Sequence, residues 1–261
     1  MSRIITLTTD FGTASPYVAV MKGVILTINA AACIHDLSHA IPPQNIGHAA
    51  HFLSGSVPYF PTGTIHVCVV DPGVGTERAA LLAEVGGQFL IAPDNGCLSL
   101  ALDRLRKPIV RRLAEPKFWR ADVSATFHGR DVFAPVAAHL SLGVKPAEFG
   151  PVMHEWVKSE PPKPRREKNS IVGEVTFIDE FGNLITNISA EIVHKPPQDL
   201  RLGAVQRKRF RWVRSYAEAE PGTLIALISS DGWLEIAVVN GSAARRLRAR
   251  VGMPVTIAFV R

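Results

Sequence analysis

Thr64-Ile65-His66-Val67-Cys68-Val69-Val70 is apolar at nearly every position, so neither face of such a strand is suited to water. A strand of this kind belongs in a sheet covered on both sides, which argues for parallel strands beneath helices. Upstream, Ile4 to Thr9 reads as a strand, Tyr17 to Ile28 as a helix, Ala32 to Leu37 as a strand and Gln44 to Leu53 as a helix. Downstream, Leu81 to Val85 and Gln88 to Ala92 read as a hairpin turned by Gly86-Gly87. Asn95 to Leu105 and Asp131 to Leu140 read as further helices. This alternation predicts an α/β fold, an N-terminal α/β sandwich with a largely parallel sheet over residues 1–158.

The pattern then changes. Residues 159–169 begin Ser159-Glu160-Pro161-Pro162-Lys163-Pro164 and show no apolar period, so they read as an extended linker. Over 170–261, Ile171 to Ile178, Leu184 to Ile188, Leu224 to Ile228, Leu234 to Val239 and Pro254 to Phe259 are β-rich. Turn signals such as Gly-Asn, Pro-Gly, Asp-Gly and Asn-Gly separate them, which predicts a C-terminal small β-barrel or sandwich.

Composition narrows the function classes. A hydrophobic content of 47% supports a sizeable core, yet no apolar run approaches the ~18 residues of a membrane span. Met1 to Thr6 lacks the apolar stretch of a signal peptide, so a cytoplasmic protein with no membrane partner is expected. Cys33, Cys68 and Cys97 form no CxxC pair and read as reduced core cysteines. The net charge of +6 comes from Lys163 to Lys168, Arg207-Lys208-Arg209 with Arg211 and Arg214, and Arg245 to Arg250. None of these runs carries a nucleic-acid motif, although Phe210, Trp212 and Tyr216 interleave with the second; they read as solvated faces, and nucleic acid is not the expected partner.

Asp10, Asp36, Asp71 and Asp94 all fall at or just after the ends of predicted strands, the edge where α/β sheets bind ligands. Asp10, in Thr8-Thr9-Asp10-Phe11-Gly12, suits a hold on two vicinal hydroxyls, but an Asx turn would use the same residue. Asp94-Asn95-Gly96 reads as such a turn. Asp71-Pro72-Gly73-Val74-Gly75-Thr76-Glu77-Arg78 is neither a Walker loop nor a dinucleotide fingerprint, and its glycines suit close backbone approach to a ligand. Asp71 with Arg78 is a structural ion pair or a charged centre; His128, in Thr126-Phe127-His128-Gly129-Arg130-Asp131, is a satisfied buried histidine or a third member. Together the three are suited to deprotonate water without a metal. Asp179-Glu180-Phe181-Gly182-Asn183 can hold an ammonium and a purine, or make a β-turn, and Ser229-Ser230-Asp231-Gly232 is equally ambiguous. His35 with His39 and His48 with His51 have ligand-like spacing but no HExxH context, so neither metal nor cofactor is expected. A metal-dependent hydrolase, or a non-catalytic adenosine- or nucleic-acid-binding module, are the alternatives on these residues.

In their joint order these segments resemble the S-adenosyl-L-methionine hydroxide adenosyltransferases, relatives of the fluorinases and chlorinases. The likeness runs through Thr9-Asp10-Phe11-Gly12, Val70-Asp71-Pro72-Gly73-Val74-Gly75, Ala92-Pro93-Asp94-Asn95-Gly96, Thr126 to Asp131, Phe181-Gly182-Asn183 with Thr186-Asn187, and Leu234-Glu235-Ile236-Ala237. It implies a homotrimer with active sites between subunits, and hydrolysis of S-adenosyl-L-methionine to adenosine and methionine. By the same resemblance Asp71, Arg78 and His128 activate water, and Asp10 binds the ribose. Asp179 takes the methionine ammonium, Asn183 faces adenine, Phe127 and Phe181 wall the pocket, and Ser230 meets the methionine carboxylate. The halogenating relatives hold halide with residues of other types than Gly129 and Asp71. An anionic Asp71 would repel halide, so the chain reads as the hydroxide user. Asp231 departs from the arginine of those relatives.

Overall fold

A computed structural model describes residues 4–159, 162–203 and 206–259, with the backbone alone at 206–208. Glu160 and Pro161 of the expected linker, Met1 to Arg3, and the side chains of Arg207 and Lys208 lie outside the described residues. The chain divides into two compact units, Met1–Ser159 and Glu160–Arg261.

In the first unit six strands are ordered β2-β1-β3-β5-β4-β6. They are β1 (Ile4–Thr9), β2 (Cys33–Ser38), β3 (Ile65–Val69), β4 (Ala80–Val85), β5 (Gln88–Pro93) and β6 (Ile109–Arg112). The neighbours β2, β1, β3 and β5 are parallel, while β4 runs antiparallel between β5 and β6. The unit also holds helices α1 (Tyr17–Ile28), α2 (Ile46–Ser56), α3 (Ser99–Leu105) and α4 (Ala134–Ser141).

The central strand β3 shows why the sheet is covered twice. Ile65, Val67 and Val69 join one buried cluster with Met21 and Ile25 of α1 and Val136 and Ala137 of α4. Cys68 and Val70 join another with Ala49 and Leu53 of α2 and Ala101 and Leu102 of α3. Alternate side chains of one strand thereby feed two cores, the period-two rule of a pleated strand. The polar exception is His66, which receives Thr6 Oγ1 at Nδ1 (2.8 Å) and meets Gln88 Oε1 through Nε2 (2.6 Å). Gln88 turns its amide nitrogen to the carbonyls of Val57 and Phe60, so its oxygen accepts and His66 Nε2 carries the proton. Burial pushes the His66 pKa down to about 4, and the ring is a neutral crosslink of β1, β3 and β5.

Elements start and stop where local chemistry sets them. Helix α2 begins at Ile46 rather than Gln44 because the Asn45 side chain accepts from His48 N. Helix α3 begins only at Ser99, since Asn95 folds back, its Nδ2 donating to Val70 O and its Oδ1 accepting from Cys97 N. Cys68 and Cys97 are buried, whereas Cys33 is exposed: β2 is an edge strand and its outer residues are uncovered.

The second unit is one curled nine-stranded sheet, a half-barrel. Its strands are β7 (Arg165–Glu167), β8 (Ser170–Ile178), β9 (Leu184–Ser189), β10 (Asp199–Leu202), β11 (Gln206–Lys208), β12 (Arg211–Trp212), β13 (Leu224–Ile228), β14 (Trp233–Val238) and β15 (Pro254–Ala258). The curl comes from β8, whose first half pairs with β15 and whose second half pairs with β9 across a register shift. A short helix, α5 (Ala243–Leu247), is capped by Ser242 accepting from Arg245 N. Strand β7 lies within the stretch that composition alone reads as linker.

Candidate active site

Parallel strands deliver their carboxyl ends to one edge of a sheet. Here β1 runs into Asp10, β3 into Asp71 and β5 into Asp94. Asp36 lies within β2 rather than after it.

The segment leaving β3 is a folded turn, with Val74 N donating to Asp71 O and Thr76 N to Gly73 O. Gly75 stands at φ +79°, and a Cβ there would lie 2.3 Å from Ala125 O. Only glycine lets this turn press against the segment leading to His128. Arg78 then reaches both partners. Its Nε donates to Asp71 Oδ1 at 2.9 Å, its Nη2 donates to Asp71 Oδ2, and Nη2 also donates to His128 Nδ1 at 2.9 Å. Nη1 is held by Ala79 O at 3.1 Å, and the guanidinium carbon lies 5.4 Å from the centre of the Phe133 ring. The Asp71 and Arg78 side chains are only 4% and 9% exposed, so water screens this pair little.

A guanidinium can only donate, so His128 Nδ1 accepts and the imidazole proton sits on Nε2. Burial first, and then the charge of Arg78, hold the His128 pKa below its ordinary 6.5, against Asp71 and Asp131 pulling upward. The result is an aspartate, a guanidinium that gives both oxygens a hydrogen bond, and a neutral imidazole that keeps one N–H, on Nε2, to donate.

His128 opens a π-helical turn, Gly129–Phe133, in which Asp131 is completely buried. Asp131 accepts from Arg130 Nε at 2.6 Å, from Arg130 Nη2 at 2.9 Å and from Ser124 N at 2.9 Å. Burial raises its pKa, but those hydrogen bonds outweigh the penalty and keep it ionised. The sequence shows Asp131 only as a helix start; its adjacency to Arg130 was the available signal of an anchor. Gly129 is hemmed in, since a Cβ would meet Met21 Sδ at 3.2 Å and Val69 Cγ1 at 3.3 Å.

Asp10 Oδ2 accepts from Gln44 N at 2.7 Å. The next residue, Phe11, meets Phe127 edge to face at 5.8 Å, and Tyr17 meets both rings at 5.6 and 5.3 Å. These contacts bring the Asp10 turn to the same neighbourhood as Phe127, His128, Arg78 and Asp71. Asp94 points elsewhere and accepts from Val157 N at 2.8 Å.

In the second unit Asp179 and Asn183 form one hydrogen-bonded turn. Asn183 N reaches Asp179 Oδ1 at 2.8 Å and Asn183 Nδ2 reaches Oδ2 at 2.9 Å. Gly182, at φ +81°, packs where a Cβ would collide with Ser242 Oγ, and its carbonyl accepts from Ala244 N. Phe181 projects from this turn at 79% exposure, and Ser230 is also exposed. Glu235 is a residue for which sequence reasoning gives no role. It is buried, accepts from Tyr216 Oη, and its pKa is raised by burial and by the charge of Asp179, against the tyrosine bond.

Among the described residues no three of His, Cys, Asp and Glu gather as a metal ion would need. The His35 and His39 spacing resolves into separate partners, Cys33 Sγ for the first and Thr9 Oγ1 for the second. No helix among the described residues is long and apolar enough to cross a membrane.

Such a fold, with ionisable groups gathered at the carboxyl edge of parallel strands, defines an α/β enzyme acting on a small molecule. The chain belongs to the SAM hydroxide adenosyltransferase family: residues 5–150 match its N-terminal domain and residues 173–256 its C-terminal domain. It is 37% identical to the (R)-S-adenosyl-L-methionine hydrolase of Salinispora tropica, over 95% of each chain. It is 39% identical to the protein of that name from Thermus thermophilus, over 95% of this chain and 96% of that one. Among solved structures, an uncharacterised conserved protein from Thermotoga maritima superposes with a TM-score of 0.93 at 33% identity, covering 98% of this chain and 100% of that one.

Proposed function

We propose that this chain hydrolyses S-adenosyl-L-methionine, in the (R)-sulfonium form for which its relatives are named, to adenosine and L-methionine. The observation that carries the reading is Arg78 bonded at once to Asp71 and His128 on the edge where Asp10 also lies. Sulfonium sulfur is already a good leaving group, so the demand on the protein is a nucleophile that is held, aimed and deprotonated. A water beside Asp71 gives up its proton to the carboxylate, with the His128 Nε2–H as a second hydrogen bond and the Arg78 charge favouring the anion that develops. The C5′–O bond forms as the C5′–S bond breaks, methionine sulfur keeps the electron pair, and the proton leaves through Asp71 to solvent. A placed base contributes roughly 10²–10⁴ in rate, and alignment as much again.

The remaining roles follow the family resemblance. Asp10 binds the ribose hydroxyls and Phe127 walls the nucleoside pocket. Asp179 takes the methionine ammonium, Asn183 the adenine, Phe181 covers it and Ser230 meets the carboxylate. Phe181 is suited to this because an aromatic so exposed gains from being covered. We place the working enzyme in the cytoplasm as a homotrimer whose sites are completed between subunits, with residues 1–158 and 170–261 as its domains. Light scattering at three chain masses supports that assembly, and one chain mass in an active sample overturns it. The chemistry is tested by incubating purified protein with S-adenosyl-L-methionine and separating the products. Adenosine and methionine in equal amounts are expected; methylthioadenosine, or no turnover, contradicts the reading.

A further inference from the structure

Behind the Asp10 turn lies a second polar arrangement that the hydrolytic centre does not use. His39 Nδ1 lies 2.9 Å from Thr9 Oγ1, and Thr9 Oγ1 in turn accepts from Phe11 N at 3.2 Å. That second bond uses the threonine oxygen as acceptor, leaving its hydroxyl proton to donate to His39. The His39 carbonyl accepts from Gly12 N at 2.8 Å. Asp36 Oδ1 lies 3.0 Å from His39 Nε2, while Lys22 Nζ holds Asp36 Oδ2 at 2.6 Å. Five residues on, Gln44 N donates to the Asp10 carboxylate itself, from a backbone at φ +62° that a glutamine rarely adopts. Between these grips Ile41 is buried in the core and Pro42-Pro43 stiffen the chain.

We propose that His39, steadied by Asp36 and Lys22, is a positioning residue for Asp10, and that the segment from His39 to Gln44 is a clamp fixing the carboxylate that binds the ribose. The clamp grips the turn on both sides of Asp10, at Thr9 and Gly12, and the carboxylate through Gln44. It bears on nucleoside affinity and not on the nucleophile, since none of its bonds reaches Asp71, Arg78 or His128. Strain of the Gln44 kind persists where surrounding structure over-determines it, and such positions cluster at ligand clamps.

This inference rests on the ribose-binding role proposed for Asp10, and the test separates the two. Calorimetry with adenosine and with 2′,3′-dideoxyadenosine measures how much affinity the ribose hydroxyls supply. His39→Ala is expected to weaken adenosine about tenfold and dideoxyadenosine hardly at all, with KM for S-adenosyl-L-methionine raised and kcat within about threefold. His39→Asn, whose amide can reach Thr9 where Nδ1 does, should restore most of the loss. Asp36→Asn, on a half-exposed side chain, should show the same pattern about threefold, and serves if the alanine variant does not fold. If Asp10→Asn removes the hydroxyl-dependent affinity and the His39 and Asp36 variants do not, the clamp is wrong and the ribose role stands. If Asp10→Asn leaves that affinity intact, the ribose role fails and the clamp with it. Equal weakening of both nucleosides, or a fall in kcat with KM unchanged, also overturns the proposal.

Discussion

Arg78 spends four of its five N–H bonds inside the protein: two on Asp71, one on His128 and one on Ala79 O. It is therefore an organiser more than a free hand for water, which leaves Asp71 as the base on the proposed reading. Replacing Asp71 by Asn should lower kcat by about 10²-fold or more and leave adenosine affinity within about threefold. An ion pair that served only stability would give the opposite, a large loss in unfolding free energy, about 3–5 kcal/mol for a broken buried pair, with kcat preserved. The His128 pKa sets a second expectation. Burial and the charge of Arg78 lower it from the ordinary 6.5, so the ring is mostly neutral at that pH and accepts from Arg78. Protonation as pH falls through that lowered value would set two cations against each other. The kcat/KM profile should have its acid-side midpoint below pH 6.5; a midpoint above 6.5 would contradict the assignment.

At the scale of elements, the centre depends on two turns being pressed together. Gly75→Ala sets a side chain at positive φ and against the Ala125 carbonyl, so backbone must move. Both the melting temperature and kcat should fall, the latter because Arg78 is drawn from His128; an alanine variant with wild-type values of both would show that this packing does not matter. What the sequence reveals follows from how strongly each element is patterned. Strand β3 was legible because both its faces are apolar, and helix α1 because an apolar-rich run of twelve residues is too long for an ordinary strand, even though its Val, Ile, Thr and Gly are weak helix formers. Strands β6, β7, β10, β11 and β12 were not, being two to four residues long, rich in arginine or lysine, and made into strands by their neighbours. The triad was legible as residue types in unusual company. Asp131 offered only its adjacency to Arg130, and the contacts of His39 and Glu235 were not legible because their partners Thr9 and Tyr216 lie far off in the chain.

For the whole molecule, each unit carries its own apolar core, centred on β3 in the first and on β8, β9, β14 and β15 in the second. The net charge of +6 gives no help in gathering a cationic sulfonium, so on the proposed reading attraction falls to local carboxylates such as Asp10 and Asp71. The origin of one oxygen atom decides whether water attacks the 5′-carbon. S-adenosyl-L-methionine should be turned over in heavy-oxygen water and the adenosine analysed by mass spectrometry, with fragmentation to locate the label. One heavy oxygen at the 5′-hydroxyl of every adenosine formed, and none incorporated into methionine, is the predicted result. Adenosine that is unlabelled at that position, or product cleaved at another bond, would contradict an attack by water on the 5′-carbon.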